Sequence, residues 1–139
     1  MTVSLDRTRV ENDSPELVVA PIWLDLDGSP FPEEGWFDFP IPLLTWWLTE
    51  VRDLLNGEQD ECWLTFMDGP FEARIAREGD AFVVDLTHWE EVTDHFIGVR
   101  VDELLTSLEA TARSLIAICE SRQLGSEVDM AALRAAATG

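Results

Sequence analysis

The sequence predicts an α+β fold, in which an antiparallel sheet of about four strands packs against two amphipathic helices and a short third helix closes the chain. Three observations lead there. The runs Glu61–Met67, Phe71–Arg77 and Ala81–His88 alternate apolar and polar residues and are separated by Asp68-Gly69-Pro70 and Glu78-Gly79-Asp80, as half-buried strands joined by hairpins do. The stretches 42–55 and 101–119 repeat apolar residues at helical spacing. At 139 residues, 46% of them hydrophobic, the chain can bury one core without disulfides or a metal.

Residues 1–14 mix polar and charged types without a period, which predicts a mobile N-terminal arm ahead of one domain over 15–139. From Glu16 to Leu26 the run ELVVAPIWLDL reads as a strand. Pro21 cannot donate to a ladder, so this strand is expected at an edge or with a bulge. Residues 27–42 hold four prolines, two glycines, four aromatics and four acids, which reads as a long loop of a kind that is commonly functional. A helix follows, because Leu44, Trp47, Leu48, Val51, Leu54 and Leu55 share a face and Asn56-Gly57 ends it. Trp46 falls beside that stripe, at the margin of the core.

In the three-strand meander the alternation places Cys62, Leu64, Phe66, Phe71, Ala73, Ile75, Phe82, Val84 and Leu86 on one face. Trp63, Thr65, Met67, Glu72, Arg74, Val83, Asp85 and Thr87 take the other. Residues 89–100 lack a period and are read as a connection from sheet to helix. Val101, Leu104, Leu105, Leu108, Ala112, Leu115, Ile116 and Cys119 then hold one face of a helix ending near Leu124-Gly125. Ser126, with Asp129 in the first turn, is the expected N-cap of the last helix.

The composition excludes several functions. Against 28 Asp and Glu stand nine arginines and no lysine, a formal charge of −19. That sign opposes the grip on a phosphate backbone, so nucleic acid is not an expected ligand. No stretch is long and apolar enough to cross a bilayer, and the first residues form no secretory or transit signal, so a cytoplasmic protein without a membrane partner is expected. Cys62 and Cys119 lie far apart in apolar surroundings and read as core thiols.

No catalytic centre is legible. His88 and His95 bracket Trp89, Glu90, Glu91 and Asp94, and a site using His88, Glu91 and His95 can be drawn, but the spacing matches no common metal motif. A histidine general base would need a nucleophile or substrate, and no Ser or Cys sits in such a context. Paired acids such as Glu33-Glu34, Asp60-Glu61 and Glu90-Glu91 arise by chance in so acidic a chain. Arg74 and Arg77 can clamp an anion, although cross-strand pairing with Glu72 or Asp85 explains them as well. The glycines are explained by turns rather than by a phosphate-binding motif. Accordingly, no metal, cofactor or catalytic residue is expected.

More informative are two places where large aromatics stand among acids: Glu33, Glu34, Trp36 and Asp38 in the long loop, and Trp89, Glu90, Glu91 and Asp94 after the third meander strand. Aromatic anchors carry a disproportionate share of binding energy at interfaces, and surrounding charge speeds encounter. These eight residues are the expected partner-binding set. In general character, and most closely in GWFDFPIPLLTWW (Gly35–Trp47) and the hairpin around DGPFEARI (Asp68–Ile75), the chain resembles the immunity proteins of bacterial polymorphic toxin systems. The resemblance implies an inhibitor that binds a cognate toxin domain and blocks its active site. Alongside it, the charge argues for a partner with a basic active-site cleft, inhibited without turnover, and a monomer or weak dimer is expected. Two other readings stand beside it: a ligand-binding or enzymatic domain with residues 27–42 as a lid, and an adaptor or assembly subunit that uses the half-apolar sheet face.

Overall fold

The computed structural model describes residues 1–139 and is an α+β fold with two antiparallel sheets and three helices. The first sheet is built on the ten-residue strand β3 (Leu17–Leu26), to which all its other strands bond: β1 (Thr2–Leu5), β2 (Glu11–Ser14), β4 (Ser29–Phe31) and β5 (Phe37–Asp38). The second is a meander of β6 (Glu61–Thr65), β7 (Phe71–Glu78), β8 (Ala81–His88) and β9 (Glu91–Ile97), in that spatial order. Helices α1 (Pro40–Leu55), α2 (Val101–Arg122) and α3 (Glu127–Thr138) complete the chain.

Residues 1–14 are not a mobile arm. Thr2–Leu5 pair with Ile22–Asp25, and Glu11–Ser14 pair with Leu17–Val19. Short strands interrupted by a 3₁₀ turn at Arg7–Arg9 leave no readable period, yet Val3 and Val10 are buried in the core. Ser107 Oγ accepts from Val3 N at 2.9 Å, and Arg122 donates to Val10 O at 2.6 Å, so α2 holds this segment from outside the sheet. The strand containing Pro21 is the hub of its sheet rather than an edge. Its missing N–H is accommodated by a break: pairing with β1 stops at Ile22, the 3₁₀ turn follows, and pairing resumes between Glu11 and Val19.

The segment expected to be a long loop, or a lid, is strapped down. Asp27 and Gly28 sit at φ 50° and 85° in a two-residue turn between β3 and β4, and β5 pairs Phe37 and Asp38 with Pro21 and Ala20. Asp-Gly suits this turn because both central residues must take positive φ to match the twist of the strands.

Helix α1 is the middle of the molecule. It buries Ile41, Leu43, Leu44, Trp47, Leu48, Val51 and Leu54, packs against α2, α3, β3 and β6, and leaves Trp46 exposed, as its position beside the stripe predicts. The meander turns Cys62, Leu64, Phe66, Ala73, Ile75, Val84 and Leu86 into the same core, with Phe71 and Phe82 packed at its margin. Helix α2 covers β1 and α1 with Leu104, Leu108, Ala112 and Leu115, and α3 begins where Ser126 Oγ accepts from Asp129 N at 3.1 Å.

Both cysteines are free and buried, and burial, with Glu50 and Glu61 adding to it, pushes the Cys62 thiol up to about 12. Burial raises Cys119 as well. A thiol-disulfide reagent such as DTNB, at about pH 8, is expected to titrate neither thiol in the folded chain and both in guanidinium chloride, because the thiolate is the reactive species. A native thiol that reacted fully within minutes would contradict the closed core.

Candidate functional site

Residues 89–100 are not the expected sheet-to-helix connection. Their first two form a hairpin turn, and Glu91–Ile97 add a fourth strand to the meander, with His88 paired to Glu91. Trp89 and Glu90 both take positive φ, 53° and 66°. This is the turn geometry of Asp27-Gly28, made here from two residues whose side chains disfavour it. Each non-glycine residue held in the left-handed region costs on the order of 1–2 kcal/mol. Trp89 stands at the tip with 73% of its surface exposed, and Glu90, Glu91 and Asp94 are exposed beside it. An aromatic side chain displayed on a strained turn contributes nothing to the core that would offset the strain.

The tip is held on a stack of rings. His88 lies parallel to its cross-strand partner Phe71, centroids 4.5 Å apart and planes 6° apart, and the Trp89 ring is 6.2 Å from His88. Phe71 in turn meets Trp36 edge-on at 5.1 Å and Phe31 at 5.9 Å; Phe31 meets Phe66, which meets the buried Trp47 at 5.0 Å. A backbone bond from Trp89 N to Pro70 O at 3.1 Å fixes the turn to the β6–β7 loop. Edge-on ring pairs contribute about 0.5–1.5 kcal/mol each beyond their burial, so the strand ends beneath the tip are firmly founded while the Trp89 ring itself stays exposed.

Phe71 therefore joins the two segments picked out in the sequence. Glu33 and Glu34 are exposed on a turn closed by Trp36 N donating to Glu33 O at 3.2 Å, and Trp36 is half-buried against Phe71. Asp38 does not belong to the surface. It is 1% exposed, and its carboxylate accepts from Trp36 Nε1 at 3.0 Å, Phe39 N at 2.8 Å and Asp68 N at 3.1 Å. A buried carboxylate survives where donors surround it. Its role is to set the ring of Trp36 and to tie the β6–β7 loop to the start of α1. Of the eight expected residues, Glu33, Glu34, Trp89, Glu90, Glu91 and Asp94 are exposed, Trp36 is half-buried, and Asp38 is buried and orients Trp36 from beneath.

The outward face of the meander exposes Trp63 and His95, while Ala76, Val83 and Thr87 on it are buried among their neighbours. Across it runs a row of Trp63, Arg74, Asp85 and His95 in register. Arg74 donates through Nε to Glu61 at 2.8 Å and lies 3.4 Å from Asp85, which contacts His95 Nδ1 at 2.5 Å. Arg74 is thereby committed to its neighbours rather than open to an anion. Arg77 donates to Leu54 O at 2.6 Å and lies over the ring of Phe82. His88 is engaged by Phe71 and His95 by Asp85, and no three His, Cys, Asp or Glu side chains are grouped as metal ligands would be.

No helix is long and apolar enough to cross a membrane. No protein-family model matches the chain, no curated protein matches it, and no solved structure matches its fold.

Proposed function

We propose that this chain is a stoichiometric inhibitor of a basic protein, working in the cytoplasm as an immunity protein works on its toxin, by occupying a cationic cleft without turnover. The observation that carries the reading is Trp89, held in the left-handed region at an exposed hairpin tip, with exposed Glu90 and Glu91 following it and exposed Asp94 further along β9. A turn that keeps residues ill suited to its positive-φ positions points to function, because the same hairpin would form more favourably with Asn or Gly there. A rigid aromatic anchor loses little conformational freedom on binding, and the acids around it steer a cationic partner toward the tip. Glu33 and Glu34 extend the same acidic surface across the Trp36–Phe71–His88 stack. An interface of this kind needs no catalytic residue, cofactor or metal.

The test begins with the neighbouring reading frame: if it ends in a small basic domain, that domain is co-expressed and purified with this chain. A 1:1 complex is expected, with an association rate that falls about tenfold or more as salt rises from low to physiological strength and beyond, since steering by charge raises on-rates roughly 10- to 1,000-fold. Reversing Glu90 and Glu91 to lysine leaves the chain strongly acidic and is expected to slow association at low salt and to reduce, without abolishing, that salt dependence. Failure to bind any such basic domain, or tight binding indifferent to both salt and charge reversal, overturns the reading.

A further inference from the structure

Next to the ring stack lies a second feature of the surface, a groove of about 360 Å³ between the start of β3, the start of α1, the end of β6 and the first turn of α3. Leu17, Phe39, Pro42 and Met67 form its walls, and Glu16 and Asp129 line it from the β2–β3 turn and from α3. Leu17, at the start of β3, and Met67, in the β6–β7 loop, keep 43% and 47% of their surface open. The groove is a built feature. Gly125 N donates to Pro15 O at 2.6 Å, which brings the turn carrying Glu16 to the loop that opens α3. Asp38 accepts from both Phe39 N and Asp68 N, so the same buried carboxylate that sets Trp36 also holds the walls at Phe39 and Met67 together.

The volume is near the lower end of small-ligand pockets, enough for one long side chain. Its chemistry is mixed in one particular way: apolar walls, two carboxylates, and no arginine or histidine among the lining residues. Arginine and lysine side chains lay an aliphatic stem on apolar surface and keep a charged end among acids or water. A neutral apolar side chain would use the walls and leave the carboxylates unanswered. An acidic one would be repelled.

We propose that this groove is the specificity pocket of the interface and takes one arginine or lysine side chain of the protein partner. The assignment rests on the reading of the chain as a binder of a basic protein, and it adds the position at which one particular residue of that partner is read. Trp89 supplies an anchor at one end of the surface, and the groove selects at the other.

The groove can be probed without the partner. The full chain, labelled at methionine and leucine methyl groups, is titrated with butylguanidinium and with its neutral isostere butylurea while Met67 and Leu17 are followed by NMR. Saturable shifts at both residues are expected with butylguanidinium, at least fivefold weaker with butylurea. The double variant Glu16→Gln/Asp129→Asn is expected to bring the two probes level; it leaves the backbone N–H of Asp129 free to donate to Ser126. Equal binding of the two probes to the unaltered chain, or guanidinium shifts no larger at Met67 and Leu17 than near Glu90 and Glu91, overturns the proposal. With a bound basic partner, Leu17→Gln/Met67→Gln is expected to weaken the complex at least tenfold. An unchanged affinity in that variant removes the pocket and leaves the inhibitor reading standing. If no basic partner binds, that reading falls, and the butylguanidinium titration decides the groove by itself.

Discussion

A chain in which Trp89-Glu90 is replaced by Asn-Gly is expected to be more stable than the natural one, by about 1–2 kcal/mol, and to bind its partner at least 30-fold more weakly. The first half follows from the turn. Asn-Gly is the pair best suited to two consecutive positive-φ positions in a two-residue hairpin, and Asp27-Gly28 fills the equivalent turn between β3 and β4 with nearly that sequence. The second half follows from the exposed ring: truncating a central aromatic anchor costs about 2 kcal/mol or more, and 1.4 kcal/mol is tenfold in affinity. Chemical denaturation gives the stability and calorimetric titration the affinity. The opposite signs are what matter. A variant both less stable and weaker would mean that Trp89 serves packing, and a variant more stable with unchanged affinity would move the interface away from the hairpin.

Replacing Asp38 by alanine is expected to lower the unfolding free energy by about 3 kcal/mol, since hydrogen bonds to a charged acceptor contribute about 1.5–3 kcal/mol and buried donors left without one add their own cost. Three donors lose their acceptor at once: Trp36 Nε1, Phe39 N and Asp68 N. Asp38→Asn, which keeps one acceptor oxygen, is expected to lose roughly half as much. The denaturation midpoint should move while the slope does not, because the surface exposed on unfolding is nearly unchanged. A loss below about 1 kcal/mol for the alanine variant would mean that water satisfies all three donors.

How much of this was legible in the sequence depends on how far each residue's partner lies along the chain. The meander was readable because its signal is local: the alternation in residues 61–88 agrees with the observed inner face, and Gly79 in the β7–β8 turn pairs Glu78 with Ala81. Counting back from that turn puts Phe71 opposite His88, so even the link between sheet and hairpin tip lay within reach. The β8–β9 turn was hidden because Trp89 and Glu90 are the wrong residues for it; a rule that looks for Asn or Gly passes over the one turn whose sequence serves something else. Strands β1 and β2 were hidden because four-residue strands broken by a 3₁₀ turn carry no period. Asp38 was placed on the surface because an acid among aromatics looks exposed, and its three donors, one of them thirty residues away at Asp68, are invisible until the chain is folded. The contact of Trp36 with Phe71 is hidden for the same reason.

The arginines carry one more consequence. Arg52, Arg77 and Arg122 donate to backbone carbonyls, Arg9 lies over Phe37, and Arg74, Arg100 and Arg134 are paired with acids, which leaves only Arg7 and Arg113 without an internal partner. Of the 28 acids, only Glu61, Asp85, Asp102, Glu109 and Glu120 lie within ion-pair reach of an arginine. The remaining carboxylates are balanced from outside, by mobile cations gathered within about 8–10 Å of the surface at physiological salt. A basic partner of the proposed kind would take their place and return them to bulk solution, as a basic protein does on a polyanion. Much of the free energy of association would then reside in the mixing entropy of the released ions, and a calorimeter would record a tight complex that gives out little heat.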